Sequence, residues 1–494
     1  MPSAKAFLEA ILADPDADGP RLVYADWLDE NGDFARAEFI RVQIALARMD
    51  ENDERQEGLK EREQSLLARD RAERLGKFAA VLGPADAHFA RGLVEGVTLT
   101  PAAYREHAEG LFRTWPIRHL HLTSPQTDEM VGVAASPWLA RLTHLGLTGG
   151  NLSAGGLSRL VASPHLTNLR QLSSFSNYIG PEDVLALTRS SISRLQSLSI
   201  SEEGVGAAGA EALANWAGLA GLTDLGLGGN EIGSVGVEAL CASRHLGSLS
   251  GLRLPRNRLA SPGARAIART AKLSTLLSLH LDGNPLGNDG VQELALSPHL
   301  RSLRRLVLSA TESGRTGMRA LAWSPVAESV TDLFVDRNPL GSEGVITLAQ
   351  SPRLTSLRHL DLANCQTDDA GVAALAAAPF LDTVVSLRLA GNRLSTFGVK
   401  ALTRSSHLTS LRELNLSECG LGDLEARVLA RWPALSRLKR LTLGDNQIGD
   451  EGARALATSL HIAGIGCLGL GGNQITPEGA NAFRDAGLRN VYVD

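Results

Sequence analysis

Between Leu195 and Ile465 the apolar positions of this chain return ten times in succession, each step 27 residues long. LTDLGLGGNEI from Leu222, LSGLRLPRNRL from Leu249 and LLSLHLDGNPL from Leu276 share the phrase L-x-x-L-x-L-x-x-N-x-L. The frame continues upstream, less evenly, at Val94, Ile117, Leu142 and Leu169, and a truncated copy, LRNVYVD, begins at Leu488. Alternation over the fourth to sixth positions predicts a half-buried strand. A strand that short cannot stand alone, so it must stack on its neighbours as a parallel ladder. The second half of each phrase changes to helical spacing. Val345, Leu348 and Ala349 share one face of GSEGVITLAQSPRL, as do Ala453 and Leu456 of GDEGARALATSL. Ser-Pro pairs at 163–164, 297–298 and 351–352 end those helices.

Asparagine recurs at the ninth position, as Asn177, Asn230, Asn257, Asn284, Asn338, Asn392, Asn446 and Asn473. Its amide suits buried backbone groups where the chain turns off the strand. Cys365 and Cys419 stand at the same place and read as small buried side chains. The phrase resembles the leucine-rich repeat over about four-fifths of the chain, and its length and strand-plus-helix plan resemble the ribonuclease-inhibitor class. That resemblance implies an α/β solenoid. Helices need roughly 10 Å of width and strands roughly 4.8 Å, so the stack is expected to bend into a horseshoe, with parallel strands concave and helices convex.

Function in such a fold is expected on the strand face, where the fifth position makes a central stripe. Its ends are small, but its middle carries Arg253, His280, Phe334, Asp361, Arg388 and Asn415. Arg256, Asp282, Asp336, Arg337 and His359 join them. A ring among mixed charges on a solvated strand has the composition of a binding hot spot, and the arginines suit carboxylates of a protein partner.

Residues 1–93 break the pattern, and three domains are expected: a helical one over 1–49, a charged helical connector and cap over 50–93, and the repeats over 94–494. The first 93 residues hold 13 Lys and Arg against 19 Asp and Glu, whereas the repeats are nearly neutral, so no polyanion-binding surface is predicted. AKAFLEAILA, PRLVYADWLDE and FARAEFIRVQIALARM read as three helices packing around Trp27, with Leu22, Val23 and Leu28 inside. The densely charged stretch 50–82 reads as a connecting helix closed by Gly83-Pro84. An open solenoid leaves its first apolar layer bare, and a helical cap covers it. LADPDADGPRLVYADWLDENGD followed by AEFIRVQ resembles the repeat-companion domain, found beside repeats in planctomycete and myxobacterial proteins, and RGLVEGVTL from Arg91 resembles the way such proteins lead into their repeats. The resemblance implies a bacterial source and no known activity, with Asp26, Glu38 and Arg41 as a surface by analogy.

Catalytic signals are absent from the sequence. DPDADG from Asp14 resembles half a calcium loop, but Ala25 stands where the bidentate glutamate belongs. His165, His245, His299 and His407 fall on one outer ridge too far apart to share a metal. Four cysteines show no disulfide or zinc spacing. With no secretion signal and no long apolar run, a cytoplasmic location is expected, and no cofactor, metal, nucleic acid or membrane is called for. The expected function is a non-enzymatic scaffold binding a partner protein on the concave face. The alternatives are an inhibitor or regulator of a partner enzyme (a nuclease or protease inhibitor, or a GTPase activator) and the sensor of a bacterial defence or signalling system. End-to-end pairing through the last strand, VYVD, is a further expectation.

Overall fold

Leucine, valine and isoleucine at the first, fourth and sixth positions leave solvent almost completely: Leu276, Leu279 and Leu281 are each 0% exposed. The computed structural model of the chain describes residues 3–50, 53, 55–83, 85–153, 155–247 and 249–493. Among these, seventeen mostly parallel strands alternate with helices, the α/β solenoid that the repeats imply. The chain divides into two compact units, Met1–Gly204 with Trp216–Leu222, and Val205–Asn215 with Thr223–Asp494.

The first unit opens with helices α1 (Ala4–Ala13), α2 (Gly19–Glu30), α3 (Phe34–Arg48) and α4 (Gln56–Leu75). Pro20 occupies the first turn of α2, and the Asp33 carboxylate accepts from the Arg36 N–H to start α3. The inward face of α2 carries Arg21, Tyr24, Ala25 and Leu28, and Tyr24 packs with Ile11, Ile40 and Ile44. Trp27, expected at the centre, lies at the margin and stacks on Tyr24 with 6.1 Å between centroids. Val23, expected inside, is exposed. Helical spacing sets Tyr24 and Leu28 on the face that also holds Arg21, and that arginine interrupts the apolar pattern of the inward face. The connecting helix α4 ends at Leu75 with Gly76 at φ 51°, earlier than Gly83. Pro84 lies outside the described residues.

Strand β1 (Ala87–Ala90) runs antiparallel to β2 (Leu93–Leu99). From β2 the pairing is parallel through β3 (His119–Thr123), β4 (His144–Thr148), β5 (Gln171–Phe175) and β6 (Ser197–Ser201). The helices clamp the start of this sheet. Gln43 of α3 accepts from Gly92 N–H at 2.6 Å and donates to Phe89 O at 3.2 Å, and Arg71 of α4 donates to Ala87 O at 2.8 Å. The outward carbonyls of β1 are therefore satisfied by side chains. Gly92 has φ 90°, and a Cβ there would stand 2.2 Å from Ile40 Cγ1, so both backbone conformation and space demand glycine.

In the second unit, β7 (Asp224–Gly226), β8 (Gly251–Arg253), β9 (Ser278–His280) and β10 (Arg305–Val307) pair in parallel. The ladder continues through β11 (Asp332–Phe334), β12 (His359–Asp361), β13 (Ser386–Arg388) and β14 (Glu413–Asn415). It ends with β15 (Arg440–Thr442), β16 (Cys467–Gly469) and β17 (Val491–Tyr492).

Two side-chain ladders hold the coils together. Asn284 Oδ1 accepts from Asn257 N–H at 2.8 Å and Leu259 N–H at 3.0 Å, while its Nδ2 donates to Leu254 O and Leu281 O. The side chain thus satisfies backbone groups of two adjacent coils. Cys365 keeps only part of this function, with Sγ 3.3 Å from Val335 O. Glu203 takes the ninth position in the first unit and accepts from Asn177 N–H at 2.7 Å and Ile179 N–H at 2.9 Å. On the helical side, Ser297 and Ser351 each donate to the carbonyl of an alanine one coil back at 2.6 Å, Ala268 and Ala322. The helices before them end at Ala295 and Ala349, where the Ser-Pro pairs predict.

Candidate functional site

The fifth-position residues are neighbours on consecutive rungs. Arg253 is in register with His280, His280 with Val307, Val307 with Phe334, Phe334 with Asp361, Asp361 with Arg388 and Arg388 with Asn415. Third-position residues form a second column beside them. The two columns enclose a cavity of about 140 Å³ lined by Arg305, Asp332, Phe334, His359, Leu360, Asp361, Ser386, Arg388 and Glu413.

The Arg305 guanidinium lies 6.0 Å above the Phe334 ring and 3.1 Å from Asp332. His359 Nδ1 is 3.0 Å from Asp332 Oδ1, but no hydrogen bond forms there. Burial alone would raise the Asp332 carboxyl, yet hydrogen bonds from Thr331 and Arg305 and the neighbouring His359 hold it below the usual range. Asp361 goes the other way. Burial pushes its carboxyl up and nearby Asp336 adds to the shift, while the Ala363 N–H at 3.0 Å and Arg388 at 3.5 Å offset only part. Asp361 was expected to face solvent like the rest of the stripe, and it is 7% exposed. Register places it on the strand face, but the turn N–H of Ala363 and the Arg388 side chain close over it.

The remaining candidates surround this patch. Arg253 pairs with Asp224 at 3.2 Å, and His280 Nε2 is 3.0 Å from Ser278 Oγ. Burial lowers the His280 imidazole, with Arg253 and Arg305 adding to it. Asp336 accepts from Ser309 Oγ, and the exposed Arg337 lies 3.9 Å from Asp336. Asn415 Oδ1 accepts from Ser417 N–H at 2.9 Å. Arg256 is exposed and Asp282 half-buried on the rungs toward β8 and β9. Arg305, Asp332, Ser386 and Glu413 complete the cavity and were not singled out from the sequence. Reading the third position as its own column, one residue per 27, would have found them.

A second cavity, about 270 Å³, lies on the strand face of the first unit and is lined by His88, His119, His121 and His144 with Gly96, Gly146, Gln171 and Ser173. The His119 and His144 rings meet edge to face at 4.0 Å between centroids. Burial, with His144 and His88 adding like charge, pushes His119 down to about 4. Gly146 gives His121 its place, since a Cβ there would lie 2.3 Å from His121 Nδ1. Among the described residues, no group of three or more His, Cys, Asp or Glu is arranged to hold a metal. Along the ridge, the backbone N–H groups of His165, His299 and His407 donate to the Oγ atoms of Ser163, Ser297 and Ser405, and the His407 ring lies 3.2 Å from Asp382. Burial raises the thiols of Cys365 to about 12 and Cys419 to about 11, too high for a nucleophile at neutral pH. No described helix is long and apolar enough to cross a membrane.

Residues 222–241, 272–295, 353–376, 407–429 and 436–457 match the family model described as leucine-rich repeat. Comparison with curated proteins gave no match. Among solved structures, the chain is similar to one from the Rad7 and Elc1 complex of yeast at 15% identity, covering 100% of this chain and 98% of that one with a TM-score of 0.44. An internalin from Listeria monocytogenes is similar at 19% identity, over 76% of this chain and 79% of that one, with a TM-score of 0.32. The chain carries leucine-rich repeats and folds them as an α/β solenoid.

Proposed function

We propose that the chain is a non-enzymatic interaction scaffold that binds a partner protein on the concave strand face, centred on Phe334, Asp361 and Arg388. The observation that carries this reading is the half-buried Phe334 ring between Arg305 and a buried, under-compensated Asp361 carboxylate. The ring offers a partner an apolar anchor, and the half-exposed Arg388, paired with Asp361 at 3.5 Å, offers its carboxylates a charge-assisted contact. Flanking charges of both signs favour a protein surface over a polyanion.

The same reading takes the repeats as the ribonuclease-inhibitor class and residues 1–49 as a repeat-companion domain, with 50–93 as connector and cap and 94–494 as the binding domain. It sets the protein in a bacterial cytoplasm. It includes end-to-end association through Val491–Tyr492, which pairs with β16 among the described residues. Elution at monomer size at high concentration would contradict that association.

The test is affinity capture from native lysate with wild-type protein, with Phe334→Ala combined with Arg388→Glu, and with Arg319→Glu on an exposed helical position as control. Specific partners are retained by wild type and control and lost by the double variant. Survival of every specific partner on the double variant rules out the central patch.

A further inference from the structure

Away from the strand-face cavities, the first unit holds a cavity of about 310 Å³ whose walls include Arg118, Arg141, Arg170 and Arg194. The backbone brings three of its wall residues together: Arg170 N–H donates to Thr143 O at 2.8 Å and Thr143 N–H to Arg118 O at 2.9 Å. Arg118, Thr143 and Arg170 are thus second-position residues of consecutive rungs, while Arg141 and Arg194 each precede the first leucine of a phrase. Among the described residues of the wall the only carboxylate is Asp16, from the DPDADG loop between α1 and α2, and it pairs with Arg118.

One acid does not satisfy four guanidinium groups. Arg141 donates to Phe112 O at 2.6 Å through Nη1, but its Nη2 is buried without a hydrogen-bond partner. Arg194 reaches the neutral Asn168 amide oxygen at 3.0 Å. Arg170 is exposed and makes no side-chain hydrogen bond or ion pair with described residues. Like charges gathered at this density raise the energy of the free protein and are relieved by an anion.

We propose that this arginine cavity is a docking site for an acidic peptide segment of a partner protein, with Asp16 as an in-chain ligand holding one end. Asp16 sets the chemistry: a carboxylate on a short, turn-forming segment, received by a guanidinium. It is itself largely solvent-exposed, so an incoming carboxylate can displace it. Arg118 and Arg170 stand two rungs apart, roughly 9.6 Å, which matches carboxylates three residues, one turn, apart on a peptide in the polyproline II conformation at about 3.1 Å per residue. The site does not depend on the Phe334 patch.

The test is fluorescence anisotropy of labelled hexaglutamate with the full chain at low salt. Wild type binds with an affinity that falls as salt rises, and hexalysine does not bind. Arg170→Glu with Arg194→Glu, both exposed positions, weakens binding by about tenfold or more. Asp16→Asn strengthens it by removing the competing carboxylate, and Phe334→Ala leaves it unchanged. Melting curves confirm that each variant is folded. Absence of binding by wild type overturns the proposal, as does an unchanged affinity in the double variant. Tighter binding of a single-stranded oligonucleotide of equal charge, lost in the same double variant, overturns it in favour of a nucleic acid.

Discussion

Arg21 Nη2 lies 2.8 Å from Glu95 Oε1, with side chains 0% and 5% exposed and a separation of 74 in sequence. Arg21 also donates to Pro15 O and Arg91 O, and Arg91 closes on the same Glu95 carboxylate at 2.9 Å. Burial lowers the Arg21 guanidinium and the facing Glu95 opposes that shift. One buried cluster therefore ties α2 to the first strand of the repeats, beside the Gln43 clamp on Gly92. The helices that precede the repeats are fastened to the sheet by charge and hydrogen bonds as well as by apolar packing.

Removing one partner of such a pair strands the other without compensation. Glu95→Ala is expected to destabilise the first unit by about 3–5 kcal/mol, and Arg21→Leu combined with Glu95→Leu to recover part of that loss, with Arg91 keeping its bonds to Asp16 O and Pro15 O. Denaturant unfolding of the three proteins checks this. An effect of Glu95→Ala confined to the helices, with the repeats unfolding as in wild type, would contradict a shared cooperative unit.

The asparagine ladder makes a second prediction. Asn284→Ala removes the acceptor for Asn257 and Leu259 N–H and the donor for two buried carbonyls. The expected loss is about 2–4 kcal/mol. At Cys365 the side chain makes only weak sulfur contacts, and Thr311 shows that a hydroxyl serves at that position by donating to Leu308 O at 2.8 Å. Cys365→Thr is therefore expected to change stability by less than about 1 kcal/mol. Urea melts separate the two outcomes.

Acid should weaken the first unit through His119. Its folded value of about 4 lies below the ordinary 6.5, so between those pH values the unfolded chain binds a proton that the folded chain refuses. Stability is complete above that window, falls as pH drops through it, and loses nothing more from this group below it. The imidazole is partly exposed, so the loss is roughly 1–2 kcal/mol after solvent screening. His119→Gln should flatten the dependence of Tm on pH across the window. An unchanged slope would contradict the assignment to His119.

The ladder geometry was legible in the sequence because a strict 27-residue period leaves one register, and Phe334, Asp361 and Arg388 had to become neighbours. Other features depended on contacts that no period encodes. Arg21 interrupts an apolar face, and its partner Glu95 lies beyond two helices. Asp361 follows the alternation of its strand, but its burial is set by the height of neighbouring side chains. The histidine cavity joins His88, upstream of the repeats, to third-position residues on β3 and β4. The arginine cavity draws on the DPDADG loop, whose sequence matches only half a calcium loop. Local charge counts were nearly neutral across the repeats, which concealed four arginines gathered on one wall.

The central patch is tested most directly by the affinity of a captured partner for wild type and for Phe334→Ala, measured by calorimetry on purified proteins. A hot-spot ring held between Arg305 and Asp361 should cost at least about 2 kcal/mol, roughly thirtyfold in Kd, when truncated. Equal affinities for the two proteins would place the partner elsewhere on the solenoid.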